Sequence, residues 1–154
     1  MRTAILFILF TFSSQLLAET DTTKINKLFD SYMSKYNHYL QTGDLPTSPQ
    51  LYTDTLMLMS SSSKPSVITQ TQMNKQVQVF LTRLKEQGVS HVKWSKVSIH
   101  FLDKNIALVS NIAERYTQSG ALFNKVGASY YVYLVDGEWK ISAFAVHDAK
   151  NTLL

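Results

Sequence analysis

The chain has 154 residues, of which 45% are hydrophobic and 17% are charged, and its formal net charge at pH 7 is +4. This composition predicts one globular domain with its own core and excludes an intrinsically disordered chain. The lysines are scattered and form no basic stripe, so nucleic acid is not expected as a partner. The chain contains no cysteine, which excludes disulfides, thiolate metal sites and cysteine nucleophiles.

Residues 1–18 indicate a secretory signal peptide. Arg2 supplies the positive end, residues 4–12 form an apolar run too short for a stable transmembrane helix, and Leu16-Leu17-Ala18 fits a cleavage site. A membrane anchor or a buried helix is the alternative interpretation. We expect an exported protein, periplasmic or secreted, in which residues 19–154 form a single domain without membrane attachment after cleavage.

The N-terminal part of that domain is predicted to be helical. Residues 21–42 carry apolar side chains at helical spacing, with Asp21 placed to cap the start and Gly43 to end the helix. Ser48-Pro49 predicts a second, one-turn helix reaching Tyr52, because Ser is a good cap and Pro suits the first helical position.

The next segment alternates between irregular and regular structure. A short extended piece is expected at residues 55–59, followed by a polar serine-rich loop at residues 60–66. Thr69 and Gln72 form a capping-box pattern that opens a helix reaching about Gln87, with Gly88 as its stop.

The C-terminal half predicts four strands joined by short turns, and therefore an antiparallel meander. Gly127 lies inside the third strand and predicts a bulge or bend there. Helices followed by an antiparallel sheet give an α+β domain, with the sheet curled around the helices. The predicted strands cover residues 91–102, 106–117, 121–135 and 139–147.

The two faces of this sheet are both rich in apolar side chains. Since alternate residues of a strand point to opposite sides, one side receives the helices and the other keeps exposed aromatic residues. We expect that second side to form a two-fold homodimer, although aromatic residues also favour strands without forming an interface. Its predicted dimer residues are Tyr131, Tyr133, Phe144 and Val146.

Three segments carry a family resemblance: TGDLPTSPQLYTDTLMLMS (42–60), TQMNKQVQVFLTRL (71–84) and VYLVDGEWKISAFAVH (132–147). In this order they resemble the NTF2-like superfamily, in its SnoaL-like and ketosteroid-isomerase-like branch. The resemblance implies a cone-shaped, curved antiparallel sheet wrapped around N-terminal helices, with a pocket between them and frequent dimers through the sheet. Members of the family range from isomerases and dehydratases to binding and assembly modules, so the fold does not choose a function.

The resemblance also suggests catalytic candidates. The isomerase and dehydratase members use an Asp base or a His–Asp pair, often with Tyr donors. The residues of this chain that could serve are His147, Asp54 and Tyr36, although a structural role is the favoured interpretation of each. His147 and Asp148 are adjacent in sequence and point to opposite sides, so they do not form a simple base–orienter pair.

A wider set of residues is expected near the pocket. The tyrosines of the first helix suit either the pocket or a core with hydroxyls at its rim. Arg115 suits an ion pair, an anionic ligand or a solvated face, and His147 shares a side with Trp139 by strand parity. The predicted pocket residues are Tyr32, Tyr36, Tyr52, Asn111, Arg115, Trp139 and His147.

No motif in the chain indicates a metal or a cofactor, and none is expected. The leading hypothesis is an exported, non-catalytic module that binds a small apolar or amphipathic ligand or a protein partner. The alternative is a cofactor-independent lyase or isomerase acting in the pocket. A third possibility is a component of an envelope assembly.

Overall fold

The structure is a computed structural model that describes the backbone of residues 9–153 and the side chains of residues 21–153. Of the expected signal peptide, residues 1–8 lie outside the described residues and residues 9–18 belong to the first helix, so cleavage stays a prediction. A 3₁₀ turn at Ala149–Asn151 follows the last strand. The other elements, in chain order, are α1 (Leu9–Thr42), β1 (Tyr52–Ser60), β2 (Ser63–Thr69), α2 (Gln70–Glu86), β3 (Val89–Asp103), β4 (Ile106–Thr117), β5 (Leu122–Val135) and β6 (Glu138–His147).

Helix α1 confirms the predicted helix over residues 21–42 but begins earlier, at Leu9. Asp21 therefore lies within the helix instead of capping it, and its carboxylate accepts a hydrogen bond from Trp139 Nε1 at 3.2 Å. Gly43 ends the helix with a positive φ of 83°, and its N–H donates to the Tyr39 carbonyl at 2.7 Å. The apolar face predicted for this helix is buried throughout: Ile25, Leu28, Phe29, Tyr32, Met33, Tyr36, Tyr39 and Leu40.

Helix α2 begins with the predicted capping box. The Thr69 hydroxyl accepts from the Gln72 backbone N–H, and the Gln72 side chain accepts from the Thr69 N–H at 2.8 Å. The helix ends before Gly88, whose φ is 86°. Its buried residues Met73, Val77, Leu81 and Leu84 face the sheet and α1.

Two predictions between the helices are wrong. Residues 44–51 contain no helix at Ser48-Pro49, because the Leu51 carbonyl accepts from the Ile141 N–H at 2.9 Å and draws the chain into β1. The serine-rich segment is not simply a loop, since residues 63–69 form β2, antiparallel to β1. Strand β2 lies at the edge of the sheet, where exposure and Pro65 are tolerated.

The six strands form one sheet in the order β2-β1-β6-β5-β4-β3. The antiparallel meander of β3 to β6 and the α+β class are confirmed. Strand β1 joins β6 in parallel, so the whole sheet is mixed. Among the residues that the structure describes, no helix has the length and apolarity to cross a membrane.

A bulge in β6 decides which residues share a face. The pairing of β5 with β6 shifts between Tyr131 and Val132, which leaves Ser142 as an extra residue on β6. The strand parity assumed from the sequence therefore reverses after Ile141. We call the side that packs on the helices, which carries Tyr130 and Ile141, the inner face, and the opposite side, which carries Tyr131, the outer face.

Gly127 does not carry the expected bulge, since the pairing on both of its sides is regular at that point. Instead, Gly127 allows other residues to approach the strand closely. A Cβ at residue 127 would lie 2.6 Å from the His147 ring and 2.5 Å from Thr152 Oγ1. The missing side chain thus lets the C-terminal segment lie on the outer face of β5.

Candidate functional site

A cavity of about 280 Å³ lies between the helices and the inner face of the sheet. Its volume is just below the usual range for small-molecule sites, which begins at about 300 Å³. Ser63 and Gln76 are exposed lining residues, so the cavity opens between the β1–β2 hairpin and α2. Most of the lining is apolar and includes Met33, Leu58, Met73, Val77, Phe80, Trp94 and Phe144.

Three tyrosines, Tyr32, Tyr36 and Tyr130, are among the lining residues. The Tyr32 hydroxyl donates to the Tyr36 hydroxyl at 2.7 Å, and the centres of the two rings are 4.3 Å apart. Burial raises the pKa of all three well above the ordinary value. These hydroxyls are therefore neutral at physiological pH and act as hydrogen-bond donors and acceptors.

Two further polar side chains are buried next to this cluster without lining the cavity. The Tyr52 hydroxyl and the two side-chain polar atoms of Asn111 make no hydrogen bond of good geometry among the described residues, although Tyr52 lies near the Tyr36 hydroxyl and Asn111 near that of Tyr130. The pKa of Tyr52 is raised by burial and then by its neighbours Tyr32 and Tyr130. Such unsatisfied groups are uncommon in a pure core.

Arg115 is the only charged residue among the described lining residues. It lies on β4, its guanidinium carbon is 5.1 Å from the centre of the Phe80 ring, and Nη1 donates to Asn124 Oδ1 at 3.4 Å. Burial lowers the pKa of Arg115, and the neighbouring tyrosines partly oppose that shift. None of the ion pairs formed by residues 21–153 includes Arg115.

The structure divides the predicted pocket residues. Tyr32, Tyr36 and Arg115 line the cavity, whereas Tyr52 and Asn111 lie beside it. Trp139 is away from the cavity, in the core near Phe101, with ring centres 5.9 Å apart.

His147 requires a correction because the β6 bulge turns it to the outer face. Its Nδ1 donates to the Asp148 carbonyl at 2.9 Å, and its Nε2 lies 3.1 Å from Ser129 Oγ. Asp54 is exposed on β1 and does not line the cavity either. Neither catalytic candidate can reach a ligand in the cavity as the side chains stand.

The same bulge moves two predicted dimer residues, Phe144 and Val146, into the cavity lining. Phe144 packs on Tyr130 with ring centres 5.5 Å apart. Tyr131 and Tyr133 remain on the outer face, with 44% and 39% of their surface exposed. The dimer face expected from the sequence therefore loses half of its named residues.

Tyr130 lines the cavity but is not among the pocket residues predicted from the sequence. Its alternation with Tyr131 along β5 places Tyr130 on one face of the sheet, but the sequence does not say which face packs on the helices. Within residues 21–153, no group of three or more His, Asp or Glu side chains could hold a metal ion.

An antiparallel meander packed on two helices around an open apolar cavity defines the class of NTF2-like, or cystatin-like, α+β proteins. Residues 19–149 match the family model described as NTF2-like protein (DUF6841), and the chain belongs to that family. The resemblance seen in the sequence is thereby confirmed. None of the curated proteins compared with the chain matches it.

Solved structures give the same fold. An NTF2-like protein with a cystatin-like fold from Novosphingobium aromaticivorans superposes with a TM-score of 0.71 at 10% identity, covering 96% of this chain and 94% of its own. An NTF2-like protein of unknown function from Shewanella oneidensis has a TM-score of 0.59 at 17% identity, with coverage of 83% and 99%. A protein described as a candidate scytalone dehydratase from N. aromaticivorans has a TM-score of 0.58 at 13% identity, with coverage of 91% and 89%. At these identities the likeness concerns the fold alone.

Proposed function

We propose that the protein is a non-catalytic binding module that holds a small apolar or amphipathic molecule in the cavity between its helices and sheet. The observation that carries this proposal is the composition of the cavity lining. Apolar walls bury a ligand's body, and a few hydroxyls and one guanidinium are placed to orient it.

The choice of binding over catalysis rests on the ionisable groups available. The described lining contains no Asp, Glu, His or Lys, and the pKa values of its tyrosines are raised by burial. A general base that works near neutral pH is usually one of those four types. The lyase or isomerase alternative keeps its tyrosine donors but loses its candidate bases, His147 and Asp54.

Trp94 provides a direct test because it lines the cavity, whereas Trp139 does not. We expect octanol to change the fluorescence of the purified protein in a saturable way, and the change to disappear in Trp94→Phe. Calorimetry then compares two variants that add a ring on opposite faces of the sheet. Val126→Phe narrows the cavity and should weaken binding, whereas Leu108→Phe on the outer face should not. Equal binding to both variants would contradict the proposal.

We also propose that the protein acts outside the cytoplasm after loss of residues 1–18. The family match supports this boundary, since it begins at residue 19. Intact-mass analysis of the protein recovered from the compartment outside the cytoplasm tests this cleavage. We expect the mass of residues 19–154, and recovery of the full-length chain from that compartment would refute cleavage.

A two-fold homodimer through the outer face is proposed on narrower grounds than the sequence suggested. Tyr131 and Tyr133 are exposed there, and Leu108 lies directly opposite Tyr131 in the sheet. Sedimentation analysis should show a dimer that Tyr131→Glu dissociates. Val79→Glu, at an exposed apolar position on α2, is the matched control and should leave the dimer intact. A wild-type protein that stays monomeric at high concentration would end this proposal.

A further inference from the structure

The guanidinium of Arg115 forms no ion pair with a carboxylate among the side chains of residues 21–153. It lines the apolar cavity, rests over the Phe80 ring and has one long hydrogen bond, to Asn124. A charge removed from water is costly unless it is paired and hydrogen-bonded. Arginine does not lose its proton in proteins, so this cost is not relieved by neutralisation.

The neighbouring groups cannot supply the missing negative charge. Tyr32, Tyr36 and Tyr130 couple electrostatically to Arg115, but burial keeps their hydroxyls protonated. The Tyr36 hydroxyl accepts a hydrogen bond from Tyr32, and it also lies close to the Tyr52 hydroxyl. The cavity therefore combines a cation and hydroxyl donors on a wall that is otherwise apolar.

We propose that the ligand of this cavity is a small molecule with an apolar body and a single carboxylate, which Arg115 binds. The proposal deepens the binding function proposed above and depends on it. A planar carboxylate matches the guanidinium fork. One cation balances one negative charge, whereas a phosphate dianion would leave a second charge uncompensated between apolar walls.

Matched ligands separate this inference from the binding function itself. We expect calorimetry on the purified protein to show octanoate binding at least about tenfold more tightly than octanol, because a charge-assisted hydrogen bond contributes about 1.5–3 kcal/mol. Octyl phosphate should bind more weakly than octanoate. If octanol binds but octanoate has no advantage, or if octyl phosphate binds best, the carboxylate assignment is overturned while the binding function stands. If none of the three binds, both proposals fail.

Variants then assign the effect to Arg115. Arg115→Met should weaken octanoate binding by about 10–100-fold and leave octanol binding unchanged or tighter. Arg115→Lys keeps the charge without the fork, and an intermediate loss is expected. The control is Lys93→Met, which removes a cation 4.7 Å from the Tyr116 ring on the outer face and should not alter binding. Thermal unfolding verifies that each variant is folded, and an unchanged octanoate affinity in Arg115→Met would overturn the inference.

Discussion

Glu114 and Arg115 are consecutive residues of β4 that point to opposite faces of the sheet, and their surroundings differ completely. On the outer face, Lys125 lies opposite Glu114 on β5, and its Nζ is 2.6 Å from the carboxylate. The Tyr116 hydroxyl also donates to that carboxylate. On the inner face, Arg115 contacts an aromatic ring and an amide oxygen, and it pairs with no carboxylate of residues 21–153.

The pKa values of the two residues fall for opposite reasons. Hydrogen bonds from Lys125 and Tyr116 lower the pKa of Glu114, which favours its charged form. Burial lowers the pKa of Arg115, which disfavours its charged form. The fold thus favours the charged form of Glu114 and disfavours that of Arg115. This difference separates a structural charge from a candidate binding charge within one strand.

The largest expected effect comes from comparing a helix residue that packs on the inner face of the sheet with a residue on the outer face. Phe29 is 1% exposed, and its ring centre lies 5.0 Å from that of Tyr130 and 6.0 Å from that of Trp94. Phe29→Ala should lower the free energy of unfolding by about 3–5 kcal/mol, because it removes contacts and leaves a void. Tyr131→Ala, on the exposed outer face, should cost about 1 kcal/mol or less. Urea titration of dilute protein measures both, and similar losses would contradict the assignment of the faces.

A smaller effect tests how the outer face is covered. Gly127→Ala places a methyl group against the His147 ring and Thr152, and should cost about 1–3 kcal/mol through overpacking. The same substitution in a His147→Ala background should cost less, because the ring that it meets is gone. Thermal unfolding of the four proteins forms a double-mutant cycle. Additive effects would show that His147 does not lie against residue 127.

Arg115→Met should move stability in the opposite direction. Without ligand, the variant replaces a half-buried cation that has no ion-pair partner among residues 21–153 by an apolar side chain, and it should gain about 1 kcal/mol in unfolding free energy. Such a gain is typical where a protein sacrifices stability for a binding group. Denaturant titration of ligand-free protein measures it. A clear loss of stability would mean that Arg115 holds the fold together, and would weaken its role in binding.

Much of the fold could be predicted because its signals are local. The capping box at Thr69 and Gln72, the glycine after each helix and the short turns between strands are all determined by a few neighbouring residues. Strand β4 matches its predicted range of 106–117, since a turn signal precedes it and another follows. Local chemistry of this kind is sufficient to place the helices and the meander.

The site could be predicted only in part because it depends on pairing between distant strands. A single extra residue, Ser142, reverses the faces of the rest of β6. Because of this extra residue, Phe144 and Val146 line the cavity and His147 does not. Nothing in the sequence of β6 indicates the bulge. Strand β2 was missed for a related reason, since an exposed edge strand needs no apolar pattern.

The smallest effect at neutral pH concerns Glu114 and appears as a dependence on pH. Its folded-state pKa lies below the ordinary value of 4.5, so the stability that it contributes is fully present above pH 4.5 and is lost as the pH falls through the folded-state pKa. In Glu114→Gln that contribution is absent at every pH. Unfolding free energies of the two proteins should therefore differ near pH 7 and converge on acidification. Asp54→Asn removes one negative charge from an exposed position on β1 that belongs to none of the ion pairs of residues 21–153, and it is the matched control. If Glu114→Gln follows the wild-type curve at a constant offset, the ion pair with Lys125 is not what keeps Glu114 charged. The contrast between a structural charge at Glu114 and a binding charge at Arg115 would then be wrong for Glu114.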